Sequence, residues 1–187
     1  MTDQRIAIIV GSTRPSRICP AIAGWAHRIL EPSPLSYELV DLAEVDLPFL
    51  DEPLMAALGR YEHPHTRRWS QTISAFDGFL FVYPQYNWGY PGVLKNALDF
   101  LFTEWNGRPA TFLTYGGHNG SASVEPFTRV LTSLRMNLLE THIEAHIGRS
   151  DVNQQWQLID PATTLEPVRG RLLEIDRQFR AAMEPTA

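Results

Sequence analysis

The chain has 187 residues, 44% of them hydrophobic and 20% charged, which is typical of a single globular domain that buries a full hydrophobic interior. Its formal net charge of -5 and pI near 5.6 argue against a protein that coats nucleic acid, because such proteins usually carry an excess of basic residues. The single cysteine, Cys19, excludes an intrachain disulfide and a cysteine-rich metal site.

The N-terminal sequence does not have the layout of a signal peptide. Its apolar stretch runs only from Ile6 to Val10, and no small-residue cleavage site follows. No apolar run in the chain approaches the roughly 20 residues that a membrane-spanning helix needs. We therefore expect a cytoplasmic protein with neither a nucleic-acid nor a membrane partner, and we treat residues 1–187 as one domain.

Strand-like and helix-like segments alternate along the chain. Short apolar or alternating runs predict strands over residues 6–10, 36–42, 78–83, 110–115 and 138–148. Apolar residues at helical spacing predict helices over residues 21–30, 65–76, 91–103, 123–136 and 163–183. Right-handed crossovers between such strands produce an α/β fold, with a five-stranded parallel sheet in the middle of three layers.

Three of the predicted loops emerge at the carboxyl edge of this sheet, where open α/β sheets bind their ligands. They follow the first, third and fourth strands. Each is rich in glycine or in hydrogen-bonding side chains; their sequences are GSTRPSR, PQYNWGYPG and GGHNGS. Three ligand-type loops on one edge indicate a binding site more strongly than any one of them alone.

The first loop predicts a phosphate site. Ser12 and Thr13 supply hydroxyl and backbone donors, and Arg14 and Arg17 supply positive charge. The following helix adds free N–H groups and a favourable dipole at its start. The alternative is that both arginines are solvated and Ser12 only caps the helix.

The second loop predicts a site for a planar heterocycle with polar edges. Pro84 stiffens the strand exit, and Gln85, Tyr86 and Asn87 present donors, acceptors and an aromatic face. Gly89 and Gly92 lack side chains where a flat ligand could approach the backbone, and Trp88 and Tyr90 add flat surface. For these two aromatic residues, covering the core or contacting another subunit is an equally good interpretation.

The third loop adds Gly116 and Gly117, which allow close approach to the backbone, and His118, which can hydrogen-bond or stack. A catalytic role for His118 is not favoured, because the sequence places no carboxylate or nucleophile beside it. We predict no catalytic protein side chain. His142, Glu144 and His146 share one strand face, but a solvated edge strand explains them better than a metal site.

A phosphate site after the first strand and a flat-ring site after the third and fourth strands together describe a mononucleotide with a large ring. The ligand that these features suggest is FMN. In the flavodoxin-like fold, with strand order 2-1-3-4-5, FMN binds at this position.

At these loops the sequence resembles the NAD(P)H-dependent FMN reductase family, which includes quinone, chromate and azo-dye reductases. The matching motifs are G-S-T-R-x-x-R at 11–17, P-x-Y-N-x-G-x-P-G-x-L-K-N-A-x-D at 84–99 and G-G at 116–117. Many members have Ser, Asn and Glu where this chain has Arg17, Cys19 and Gln85.

The resemblance implies roles for the three loops. Ser12, Arg14 and Arg17 would hold the FMN phosphate; the isoalloxazine would lie along Pro84, Gln85, Tyr86 and Asn87, with Gly116, Gly117 and His118 at its pyrimidine side. It also implies a ping-pong reaction, in which NADPH or NADH passes a hydride to the flavin and a quinone, free flavin or similar small molecule then takes two electrons. Members are usually homodimers or homotetramers. The apolar helix 91–103 and Trp105 predict a subunit contact.

Two other functions are compatible with the same motifs. A flavodoxin-type carrier would bind FMN without accepting hydride from a nicotinamide, and a nucleotide-binding module would carry out no redox chemistry. The paired arginines and the mild net charge favour the enzyme over the carrier.

Overall fold

A parallel β-sheet forms the centre of the protein in the computed structural model, which describes residues 4–184. Its strands are β1 (Arg5–Val10), β2 (Ser36–Asp41), β3 (Gly78–Pro84), β4 (Pro109–Gly116), β5 (Asn137–Leu138) and β6 (Ile143–His146). They pair in parallel in the order β2-β1-β3-β4-β5, and β6 also pairs with β4. This confirms the predicted flavodoxin-like α/β fold with strand order 2-1-3-4-5.

The last strand of the sheet differs from the prediction of one strand over residues 138–148. β5 ends at Leu138 and β6 begins at Ile143, so the sheet edge beside β4 is interrupted. Within the gap, the Thr111 hydroxyl donates a hydrogen bond to the Thr141 carbonyl at 2.6 Å. A side chain thus satisfies a carbonyl that lies in neither strand.

Seven helices surround the sheet in the described residues 4–184. They are α1 (Cys19–Leu30), α2 (Leu42–Val45), α3 (Pro64–Ser74), α4 (Gly92–Asp99), α5 (Val124–Ser133), α6 (Pro161–Leu165) and α7 (Arg169–Met183). The predicted helix 163–183 is divided into α6 and α7 by a 3-10 turn over Glu166–Val168. This turn contains Pro167, which has no N–H to continue the helical hydrogen bonds.

Helix α4 ends at Asp99, and the apolar residues after it turn into the core. Trp105 is only 1% exposed and donates from Nε1 to the carbonyl of Leu98 at 3.2 Å. The prediction that Trp105 contributes to a subunit contact was therefore wrong. Its apolar surface is used inside this chain.

The side chains of each strand alternate between two cores, one on each face of the sheet. On one face, Phe79, Phe81 and Tyr83 of β3 pack against α3, α4 and α5. On the other face, Leu80 and Val82 pack against α1, α6 and α7. Within residues 4–184, none of the helices is long and apolar enough to cross a membrane.

Candidate functional site

A cavity of about 550 Å³ lies at the carboxyl edge of the sheet, where β1, β3, β4 and β6 end. This size lies in the usual range for small-molecule sites. Its lining residues are Arg14, Ser16, Arg17, Ile18, Pro84, Gln85, Tyr86, Tyr115, Gly116, Gly117, Ile147, Gly148, Arg149, Val152 and Trp156. The structure thus brings together the three loops that the sequence singled out.

The loop between β1 and α1 divides into a buried start and an open remainder. Gly11 lies where a Cβ atom would come 3.1 Å from the Val82 carbonyl oxygen, so a side chain there would require its neighbours to shift. Ser12 is buried, and its hydroxyl lies 2.9 Å from that of Tyr86. Thr13 is exposed and lies outside the cavity lining.

Arg14 lies at the cavity wall with its guanidinium carbon 4.5 Å from the centre of the Tyr86 ring. This is cation–π geometry, which holds the charge in place without neutralising it. Arg14 forms no ion pair with a carboxylate in the part of the chain that the structure describes. Its charge therefore remains available to an anion.

Arg17 lines the cavity too, but it already binds an acid. Its two terminal nitrogens contact the Asp41 carboxylate at 2.5 and 2.8 Å, and Nη1 also donates to the Ser12 carbonyl at 2.6 Å. The hydrogen bond to Asp41 raises the pKa of Arg17 and keeps it charged. Asp41 also caps α2 by accepting from the N–H of Ala43 at 3.0 Å.

The loop after β3 begins in the cavity and then turns away from it. Pro84, Gln85 and Tyr86 line the cavity, whereas Asn87 is exposed outside it. An antiparallel β-bridge between Tyr86 and Gly89 closes a tight turn. Within this turn, Asn87 and Trp88 have φ values of 45° and 67°. The left-handed conformation therefore falls on these two residues and not on the glycines.

The aromatic residues of this loop have different surroundings. Tyr90 packs on Phe127, with ring centres 5.1 Å apart, which favours its interpretation as core cover. Trp88 is 79% exposed.

The loop after β4 is joined to the loop after β3 by one hydrogen bond. The N–H of Ala122 donates to Oε1 of Gln85 at 2.9 Å. Gly116 and Gly117 line the cavity, and a Cβ atom on Gly117 would meet no atom within 4 Å. His118 is exposed and lies outside the cavity lining.

The two histidines of the last strand region have ordinary polar partners. His142 contacts Glu144 at 3.1 Å, and His146 contacts Asn119 at 3.2 Å. No metal-binding group forms within residues 4–184.

A fourth wall of the cavity was missed by the sequence analysis. It is the segment after β6, which contributes Ile147, Gly148, Arg149, Val152 and Trp156. The segment matches no motif. Its position was the available signal, because it follows the last strand at the same carboxyl edge as the other three loops.

Two buried side chains at this edge of the sheet, Cys19 and the cavity-lining Tyr115, stay neutral near pH 7. Burial raises the pKa of the Cys19 thiol to about 12 and raises the pKa of the neighbouring Tyr115 hydroxyl. The Cys19 thiol donates to the Val82 carbonyl at 3.1 Å. Neither group is a ready nucleophile or base, so the site offers binding groups and positive charge.

The comparisons with known proteins agree with this geometry. The family model described as NADPH-dependent FMN reductase matches residues 4–146. An NAD(P)H-dependent FMN reductase of Schizosaccharomyces pombe is 37% identical over 96% of this chain and 90% of its own length. Another of Saccharomyces cerevisiae is 42% identical over 72% of this chain and 77% of its own length. A 2-hydroxy-1,4-benzoquinone reductase of a Burkholderia species is 32% identical over 80% of this chain and 83% of its own length.

Among solved structures, a flavoenzyme NAD(P)H:(acceptor) oxidoreductase of Paracoccus denitrificans superposes with a TM-score of 0.75. It covers 96% of this chain and 98% of its own, at 19% sequence identity. A likeness at this identity shows the shared fold, and the sequence matches extend it to the family. Since the family model covers most of the chain and full-length relatives exceed 30% identity, this protein belongs to the NADPH-dependent FMN reductases, oxidoreductases that use NAD(P)H as reductant and FMN as flavin.

Proposed function

We propose that this chain is an NAD(P)H-dependent oxidoreductase with FMN in the cavity at the carboxyl edge of the sheet. The residues present fit that group. The cavity has no aspartate or glutamate among its described lining residues, and Arg14 at its β1 end has a charge free for a phosphate. A side chain on Gly117 would project into open space, so this glycine leaves room for a flat ring.

The residue roles follow from these positions. Arg14 binds the phosphate, together with Ser16 and the positive end of the α1 helix dipole. Arg17 neutralises Asp41 and shapes the loop through the Ser12 carbonyl. Ser12 acts indirectly, by holding the Tyr86 hydroxyl. Thr13, Asn87 and His118 stay predictions that no cavity contact in the structure supports.

The ring lies along the other two loops. Pro84, Gln85 and Tyr86, which line the cavity, would face one side of it, and the lining residues Gly116 and Gly117 would border its pyrimidine side. FMN held there would supply the redox chemistry, which is hydride transfer from the nicotinamide and two-electron transfer to the acceptor. The chain itself positions the reactants and limits water with the apolar side chains of Ile147, Val152 and Trp156.

The observation that carries this proposal is the unpaired charge of Arg14 in a cavity that glycines leave open for a planar ring. The test is anaerobic addition of NADPH to the purified protein with FMN, followed by visible flavin absorbance. We expect stoichiometric FMN binding, bleaching by NADPH and return of absorbance with a benzoquinone. Binding without bleaching would support a flavodoxin-type carrier, and the absence of FMN binding would contradict both functions.

The physiological acceptor is a small molecule, and a quinone is the class that we propose, since a benzoquinone reductase is among the relatives. We propose that the enzyme acts in the cytoplasm. Residues 1–187 act as one FMN-binding domain, because β1 and α7 pack within a common core.

We also propose a homodimer or homotetramer. Its support is a set of exposed apolar side chains in the loop between α2 and α3, where Phe49 is 90% and Met55 is 72% exposed. The loop is held to α4 by Asn96, which donates to the Pro48 carbonyl at 2.7 Å. An exposed apolar patch of this kind marks an interaction surface. Light scattering should show an oligomer for the wild type and a smaller species for Phe49→Glu. A monomeric wild type at micromolar concentration would contradict the assignment.

A further inference from the structure

The cavity holds a second arginine without a carboxylate partner, after a different strand from Arg14. Arg14 and Arg17 lie after β1, and Arg149 lies after β6. Because β1, β3, β4 and β6 are successive neighbours, β1 and β6 lie roughly 14 Å apart at about 4.8 Å per strand. We therefore expect a phosphate bound by Arg14 at the β1 end to leave the charge of Arg149 for a second anion.

Arg149 also lacks a partner of opposite charge within residues 4–184. Its guanidinium carbon lies 5.0 Å from the centre of the Trp156 ring, and Nη1 donates to the carbonyls of Val152 and Asn153 at 3.0 and 3.3 Å. The nearby Asp151 carboxylate is occupied, since it accepts from the N–H of Gly148 at 2.6 Å. The arginine is thus held in place with its charge uncompensated.

The segment that carries Arg149 and Trp156 is internally braced. Val152 and Leu158 form an antiparallel bridge, and the Asn153 side chain accepts from the N–H groups of Gln155 and Gln157, each at 2.9 Å. Trp156 has a φ of 59°, a left-handed conformation that is unfavourable for a bulky residue. Strain of this kind persists where surrounding contacts hold it, and it is common at binding sites.

We propose that Arg149, supported by Trp156, binds the phosphate next to the nicotinamide ribose of NADH or NADPH. This inference rests on the proposed FMN site. The N–H of Ile147 donates to the Gly116 carbonyl at 3.2 Å, so Arg149 begins beside the glycines that border the ring. The first phosphate beyond a nicotinamide stacked on that ring is the group within reach. That phosphate is common to both reductants, whereas the 2′-phosphate of NADPH lies farther along the molecule.

The test compares Arg149→Gln with the wild type and with Arg68→Gln, which removes the same charge from an exposed site on α3. The hydride donors are NADPH, NADH and 1-benzyl-1,4-dihydronicotinamide, which has no phosphate. Stopped-flow bleaching of the flavin measures the rate of flavin reduction and the half-saturating concentration for each donor. Calorimetry measures the dissociation constants of FMN and of oxidised nicotinamide mononucleotide, and a thermal melt reports folding.

For Arg149→Gln we expect the half-saturating concentrations of NADH and NADPH to rise equally, by about 10- to 100-fold, with the loss of a charge-assisted hydrogen bond. The dissociation constant of oxidised nicotinamide mononucleotide should rise by a similar factor. In Arg149→Gln, the dissociation constant of FMN and the rate of flavin reduction by the benzyl donor should stay at wild-type values. In Arg68→Gln, all of the measured properties should stay at wild-type values. Trp156→Leu, which keeps the arginine, should give a smaller rise for both reductants.

Three results would overturn the assignment. Weaker FMN binding by Arg149→Gln would place Arg149 at the flavin phosphate. Equally impaired flavin reduction by the benzyl donor would exclude a phosphate contact. Impaired reduction by NADPH alone would indicate a contact with the 2′-phosphate. If no donor bleaches the wild-type flavin, the proposed function itself fails, which is a separate outcome.

Discussion

At the carboxyl edge of the sheet the strands end around a cavity of about 550 Å³, whereas at the amino edge they begin beside a polar groove of about 390 Å³. The groove is lined by Ser74, Thr103, Glu104, Asn106, Gly107 and Arg108. Its charged groups already have partners. Glu104 accepts from the hydroxyls of Tyr61, Ser70 and Thr103, and Arg108 pairs with Asp77 at 3.3 Å.

The cavity differs from the groove in what its polar groups have left to bind. Arg14 and Arg149 each stack on an aromatic ring and have no carboxylate partner in the described chain. An aromatic face holds a guanidinium in place without cancelling its charge, whereas a carboxylate does both. The difference teaches that unsatisfied charge distinguishes a binding site from a surface depression better than polarity or volume does.

The largest effect is expected at Gly120, which shapes the loop after β4. An ideal Cβ atom there would lie 2.3 Å from Oγ1 of Thr114 and 2.8 Å from the Tyr115 nitrogen, at a φ of 77°. Gly120→Ala should lower the free energy of unfolding by about 3 kcal/mol and weaken FMN binding, because the backbone must move. Urea denaturation and flavin titration measure both effects.

Gly170 in α7 provides the control for that substitution. A Cβ atom at Gly170 meets nothing within 4 Å, so Gly170→Ala should raise the free energy of unfolding by about 0.5–1 kcal/mol, the helix-propensity difference. Equal stability of the two variants would show that the carboxyl-edge loop is not built as described.

Arg14→Gln should weaken FMN binding by about 10- to 100-fold, because a charge-assisted hydrogen bond to the phosphate is lost. Riboflavin, which lacks the phosphate, should bind wild type and variant equally. Titration with both flavins measures the difference, and Arg68→Gln is the charge-matched control. A parallel loss for riboflavin would mean that Arg14 acts through Tyr86 and not through the phosphate.

The smallest effect concerns the amino edge. Glu104→Gln weakens three hydrogen bonds from hydroxyl groups and should cost about 1–2 kcal/mol of stability, measured by urea denaturation. FMN affinity and the rate of flavin reduction should not change. A fall in either would show that the amino-edge groove takes part in function and would remove the contrast between the edges.

The loops that reach the cavity could be predicted because each follows a recognisable strand. Arg14, Tyr86 and Gly117 belong to motifs whose position at the carboxyl edge follows from a parallel sheet. For Arg149 and Trp156, the position after the last strand was the available signal. They belong to no motif, and they reach the cavity only because β6 pairs with β4.

The use made of individual residues was harder to predict than their location. Arg17 stands in the phosphate motif, yet its hydrogen bonds go to Asp41 and the Ser12 carbonyl. In the second loop the left-handed conformation falls on Asn87 and Trp88, although glycines stand nearby. Both outcomes depend on partners distant in the chain or on turn closure, which local composition does not specify.

The amino-acid sequence by itself determined the alternation of strands and helices, the apolar runs that become buried strands, and the three loops at one edge. These properties are local, because side-chain periodicity and glycine or proline placement act over a few residues. The tertiary structure alone decided which charges are neutralised, which loops join through Gln85 and Ala122, and that a fourth segment closes the cavity. Those contacts depend on strand order and on distances across the sheet, so they exist only once the chain has folded.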